Sequence, residues 1–232
     1  MTEKLHIEEW GSGEKTAVLL HGIMGSSRTW WELGPALAAR GYRVLAPDLA
    51  GHGKSPRRDR YSRESWADDL LDNLPTRPDV AIGHSLGGTL LAMIADRLKP
   101  ARAVYEDPSW YVTEGGFGKV MIWMREMKNW TLDDLRRASP HWSQGSYDAR
   151  LAELADWDTE TTHMDYLETA YIPVVPLVPS LVVVPDPSQI MTPEHAAEFA
   201  HAGFEIRKLP GLTHNVHVDD FPRYLAALEG WI

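Results

Sequence analysis

The sequence predicts an α/β fold: one mostly parallel, doubly wound sheet with a helical lid inserted partway along the chain. Three observations carry that prediction. Short apolar runs at 17–20, 42–46, 79–82 and 101–105 alternate with helical patterns. After Asp107 the alternation stops for a tryptophan-rich stretch, and from 181–184 onward it resumes.

Each run is short, partly β-branched and bounded by Gly, Pro or Asp, which is how buried parallel strands read. Between them, 29–40 places Trp30, Leu33 and Leu37 on one helical face and meets Gly41 at its end. Segments 65–74 and 86–98 repeat the theme, so the connections are right-handed βαβ crossovers. The second half continues with a strand at 181–184, a helix at 193–202, a strand at 204–209 and an amphipathic helix at 218–231. The expected division is a core of 1–107 and 180–232 and a lid of 108–179. Within the lid, Val120, Trp123, Met124 and Met127 share a helical face, and Thr131 with Asp134 forms a helix-start box.

Composition bounds the function. A chain of 232 residues, 44% apolar and 24% charged, has globular values and the size of one domain. Acidic residues outnumber basic ones 33 to 23, and the net charge of −10 works against a nucleic-acid groove or an anionic membrane patch. The absence of cysteine excludes disulfides, thiolate metal sites and thiol nucleophiles. Glu3, Lys4, Glu8 and Glu9 break up the start, which does not read as a signal peptide, and the apolar 174–185 stretch is short and interrupted by prolines. The expectation is a soluble, cytoplasmic protein acting on a small molecule. Its oligomeric state is open.

The strongest chemical signal is Gly83-His84-Ser85-Leu86-Gly87, which follows an apolar strand and opens a helix. A sharp strand-to-helix turn strains the serine backbone, and flanking glycines relieve the clash while leaving the hydroxyl exposed. The helix start offers unpaired N–H groups, Leu86 among them, to a developing oxyanion. A second loop, His21-Gly22-Ile23-Met24-Gly25, follows the first clear strand and can bring the Ile23 N–H toward Ser85. A third, Asp48-Leu49-Ala50-Gly51-His52-Gly53, reads as a tight structural loop.

In this order and spacing the three motifs resemble the α/β-hydrolase fold, over nearly the whole chain except the lid. The resemblance implies a hydrolase with a Ser, acid, His triad in that chain order, at the carboxyl ends of parallel strands. It leaves the substrate open, because the fold hosts many chemistries.

Ten histidines compete for the base. His6 and His201 lie far from any predicted strand end, His141 and His163 fall in the lid, and His195 opens a helix. His21, His52 and His84 belong to turns. His214, after the strand at 204–209, stands where the family places its base, with His217 a solvated or supporting neighbour. The acid has two candidates. The family's usual position follows the strand at 181–184, where Ser188 aligns with the expected Asp and Asp186 comes two residues early. The alternative is Asp107 at the end of the preceding strand, with Glu106 a remote third.

Ser85 would attack a carbonyl, His214 would take its proton, and the N–H groups of Ile23 and Leu86 would hold the oxyanion. No cofactor is required, and no H-E-x-x-H or comparable ligand spacing marks a metal site. Ester or lactone hydrolysis is the first reading, with Met24, Trp110, Trp123 and Met127 as candidate substrate contacts. Ser85 argues against haloalkane dehalogenation and epoxide hydrolysis, which use a carboxylate nucleophile. Two alternatives stay open. One is a lyase or C–C bond hydrolase, since the His21–Ser26 segment also resembles vitamin K pathway lyases of this fold; Arg125, Arg136 and Arg137 would supply its cations. The other is a non-catalytic ligand-binding relative.

Overall fold

The computed structural model describes residues 4–111, 117–163 and 170–232. Seven strands form one sheet in the order β1-β3-β2-β4-β5-β6-β7. They are β1 (Ile7–Trp10), β2 (Lys15–Leu20), β3 (Tyr42–Pro47), β4 (Val80–His84), β5 (Ala103–Glu106), β6 (Ser180–Asp186) and β7 (Glu205–Pro210). All pairings are parallel except β1 with β3. The expected fold class is therefore observed.

Strand alternation divides the core into two layers. Val18, Leu20, Ala81, Tyr105 and Val182 face helices α2 (Arg63–Asn73), α3 (Leu86–Leu98) and α7 (Pro193–Ala202) through Trp66, Leu90, Ile94 and Phe199. Ala17, Leu19, Ile82, Val104 and Val183 face α1 (Leu33–Ala38) and α9 (Phe221–Ala227) through Leu33, Leu37 and Tyr224. Helices on both faces are the doubly wound arrangement.

Several boundaries shift for local reasons. The expected 29–40 helix is a 3₁₀ turn at Ser27–Trp30 followed by α1, broken ahead of Pro35. The expected 218–231 helix divides into α8 (Val216–Asp219) and α9, because Asp220 caps a new start with Pro222 in its first turn. β1 is an edge strand that the apolar-run criterion passes over, since Ile7-Glu8-Glu9-Trp10 carries two charges.

Between β5 and β6 lie α4 (Phe117–Met127), α5 (Leu132–Ala138), α6 (Gln144–Asp156) and a 3₁₀ turn at Thr159–Thr162. The Thr131–Asp134 capping box starts α5 as expected. Parts of the 108–179 segment, 112–116 and 164–169, lie outside the described residues. Among the described residues no helix is long and apolar enough to cross a membrane.

Candidate active site

The carboxyl end of β4 runs directly into α3, and Ser85 occupies the corner at φ 52°, ψ −115°. For a non-glycine residue that conformation is strained by about 1–3 kcal/mol and persists only where the surroundings enforce it. They do. A Cβ on Gly83 would stand 2.4 Å from Gly87 O, and one on Gly87 would stand 2.2 Å from Leu20 O and 2.6 Å from His21 O. Both glycines are therefore steric requirements of the corner. Ser85 N donates to Glu106 O at 3.0 Å, and Thr89 N donates back to Ser85 O at 3.1 Å.

The loop after β2 lies against this corner. A Cβ on Gly22 would meet His84 Nδ1 at 3.0 Å and Ser85 Cβ at 3.1 Å, a tight contact that the bare glycine avoids. His21 pins the loop by donating from Nδ1 to Gly22 O at 2.8 Å while its Nε2 accepts from Leu49 N at 3.0 Å. Burial pushes the His21 imidazole below its ordinary pKa, consistent with that neutral form. Among the described residues, the N–H groups of Ile23 and Leu86 have no acceptor. The 48–53 loop is structural, as expected: Asp48 accepts from Ser27 N at 2.6 Å and Lys54 N at 2.9 Å.

His214 follows β7 and packs its ring 4.7 Å from that of His84, the residue beside Ser85. His84 Nε2 donates to His214 O at 2.9 Å, which ties the two loops together. Burial, then the neighbouring His214 and His217, hold the His84 imidazole well below its ordinary pKa.

The carboxylate on His214 comes from Asp107: Nδ1 donates to Asp107 Oδ2 at 2.6 Å, and the Asp107 side chain is 0% exposed. Asp107 stands just past β5 at φ 36°, its N–H donating to Val183 O at 2.8 Å. Asp186, the other candidate, is exposed at the end of β6, where its backbone oxygen accepts from Gly211 N at 3.0 Å. Among the described residues its side chain makes no hydrogen bond or ion pair with His214, which pairs with Asp107. Ser188 instead donates from Oγ to Asp107 Oδ1 at 2.7 Å.

Of the two expectations for His217, solvated or supporting, the structure shows a buried supporting residue. Its backbone N–H and Nδ1 both donate to Glu106 Oε1, at 2.9 and 2.7 Å, and the pair is buried. With Nδ1 carrying the proton, Nε2 accepts from the Thr29 hydroxyl at 2.7 Å. Strand alternation explains the arrangement: Glu106 shares the face of Val104, toward α9, whereas Tyr105 points to the opposite layer. Adjacent carboxylates at the end of β5 thus hold both ends of the 214–217 segment. The signal for this is two acids in succession opposite two histidines three residues apart.

The four candidate substrate contacts separate. Met24 and Met127 meet in one cluster with Leu154 and Trp157, with Ile23, Met124 and Trp130 packed against it. Trp110 is fully buried between β5 and α7, its ring 4.6 Å from Phe199 and 4.9 Å from Tyr105, so core packing accounts for it and the substrate expectation is corrected. Trp123 is 48% exposed and lies edge-on to Trp130 at 5.9 Å. Arg136 and Arg137 pair with Asp133 and Asp134 on an exposed face of α5, and Arg125 donates to Thr162 Oγ1. The cations invoked for a lyase are thus engaged by residues of the same 117–163 stretch.

A model of the alpha/beta hydrolase family matches residues 17–228. Among curated proteins, the chain is 40% identical over 83 residues to the magnesium-chelatase 30 kDa subunit of Rhodobacter capsulatus, covering 34% of this chain and 29% of that protein. It is 38% identical over 86 residues to methylesterase 3 of Arabidopsis thaliana, covering 34% and 33%. The matches thus span a third or less of those relatives. Among solved structures, the thioesterase domain from the curacin biosynthetic pathway superposes with a TM-score of 0.72 at 26% identity, covering 98% of both chains. The match to the family model extends from β2 to the end of α9, across the Ser85 corner, the loop after β2 and the His214 loop, and the chain belongs to the alpha/beta hydrolase family.

Proposed function

We propose that the protein hydrolyses a carboxylic ester or lactone through an acyl-enzyme on Ser85. The observation that carries this reading is the 2.6 Å His214–Asp107 pair, whose imidazole packs on His84, the neighbour in sequence of a serine held at positive φ on a glycine-flanked corner. The names of two relatives, a methylesterase and a thioesterase domain, also point to acyl transfer.

In the first step the Ser85 oxygen attacks the carbonyl carbon while His214 Nε2 takes the hydroxyl proton. The carbonyl oxygen gains the negative charge and is held by the Ile23 and Leu86 N–H groups. Asp107 keeps Nδ1 protonated and stabilises the imidazolium. Collapse of the tetrahedral intermediate expels the alcohol, which receives the proton from His214. Water then attacks the acyl-enzyme, with His214 as base, and the carboxylic acid leaves. The 108–179 insertion serves as a lid, and Met24, Met124 and Met127 give the acyl side an apolar, adaptable wall.

Turnover of a panel of aryl esters and lactones by wild type and by Ser85→Ala tests the reading. Burst kinetics in wild type and none in the variant support it. Equal turnover by both proteins contradicts it.

A further inference from the structure

We propose that Ser188 is a positioning residue for the reaction, orienting the Asp107 carboxylate that in turn orients His214. The inference rests on the serine-hydrolase reading above and extends it to a residue that touches neither Ser85 nor His214.

The direction of one hydroxyl proton decides the role of Ser188. Ser188 Oγ accepts two backbone hydrogen bonds, from Ile190 N at 3.1 Å and from Met191 N at 2.8 Å. A hydroxyl has two acceptor sites and one donor. With both acceptor sites taken, the proton has one direction left, and Asp107 Oδ1 lies there at 2.7 Å. The loop backbone therefore aims the donor.

Its target is a carboxylate removed from water, with one oxygen for each partner. Oδ2 receives the His214 Nδ1 proton and Oδ1 receives the Ser188 proton. Turning the carboxylate breaks both bonds, and losing Ser188 leaves Oδ1 buried without that donor. The supporting loop is anchored at both ends. β6 pairs with β5 at Glu106 and Val183 on one side, and Thr192 caps α7 on the other, accepting from His195 N at 3.3 Å.

A merely structural role is the competing explanation, since Ser188 also closes its own loop. The two differ in what they move. A loop cap affects stability and acts independently of Asp107. A positioning residue affects the acylation rate, leaves inhibitor binding unchanged and loses its effect once the carboxylate is gone.

The test is the saturating rate of Ser85 phosphonylation by a fluorophosphonate, its half-saturation constant, and Tm. These are measured for wild type, Ser188→Ala, Ser188→Thr, Asp107→Asn and the Ser188→Ala/Asp107→Asn double variant. Ser188→Ala is expected to slow the saturating rate by about 10- to 100-fold, the usual effect of one hydrogen bond to a charged group, with half-saturation unchanged. Ser188→Thr, which keeps the hydroxyl, restores it. In the Asp107→Asn background the alanine change adds nothing. A wild-type rate in Ser188→Ala, a threonine variant as slow as alanine, or additive losses in the double variant each overturn the proposal while wild-type labelling leaves the hydrolase reading standing. An inert wild type overturns both.

Discussion

Replacing Asp107 by asparagine removes a charge while keeping the shape of a side chain that has no access to water. In the proposed acylation step His214 becomes cationic with the Asp107 oxygen 2.6 Å from its Nδ1. Taking about 4 Å between charge centres and an effective dielectric near 20, the lost attraction is about 4 kcal/mol, or about three decades in rate. Asparagine can also present its N–H₂ group to Nδ1, which selects the wrong imidazole tautomer and costs about one further decade. The expected fall in kcat for an activated ester is therefore about 10³- to 10⁴-fold. Asp186→Asn is the control, because that side chain is exposed and forms no hydrogen bond or ion pair with His214 among the described residues; its kcat stays at the wild-type value. The reasoning is refuted if Asp107→Asn retains more than about a tenth of wild-type kcat, or if Asp186→Asn is the more damaging change.

Other outcomes follow from packing and titration. Gly87→Ala places a Cβ 2.2 Å from a backbone oxygen, so it destabilises by about 3 kcal/mol or more and lowers Tm by at least about 6 °C in thermal melts; an unchanged Tm contradicts the steric role of Gly87 at the Ser85 corner. Glu106→Leu strands the His217 backbone N–H and Nδ1–H in the core at a cost of about 1–3 kcal/mol each, and the combined loss appears as a fall of roughly 10 °C. Burial holds His21, His52 and His84 below the unfolded value of 6.5, so below that pH the unfolded chain takes up protons that the folded chain refuses. Stability is therefore lost as pH falls below 6.5, with a slope of up to about 1.4 kcal/mol per unit for each histidine, and a Tm constant between pH 7 and pH 5 contradicts this.

The sheet was legible because its signals are local. The runs that became β2, β3, β4 and β6 are apolar on both faces, which few other environments require, and Gly83 and Gly87 bracket a corner that only glycine permits. The insertion's capping box was legible for the same reason. What stayed hidden depends on where distant loops pass. Asp107 and Asp186 both end strands neighbouring His214, and the choice between them turns on the path of the loop carrying Ser188. The pairing of Glu106 with His217 needs the face of β5 to be known relative to α8. Trp110 resembles a ligand contact in sequence, yet Tyr105, Phe199 and Phe204 enclose it once β5 and α7 are placed.

The central claim is that Ser85 is an activated nucleophile with His214 as its base. Its most direct test is intact mass and peptide mapping after fluorophosphonate exposure of wild type, Ser85→Ala and His214→Ala. One adduct is expected, on Ser85, absent from the serine variant and formed far more slowly without His214. An unmodified wild type, or an adduct that forms equally fast without the histidine, contradicts it.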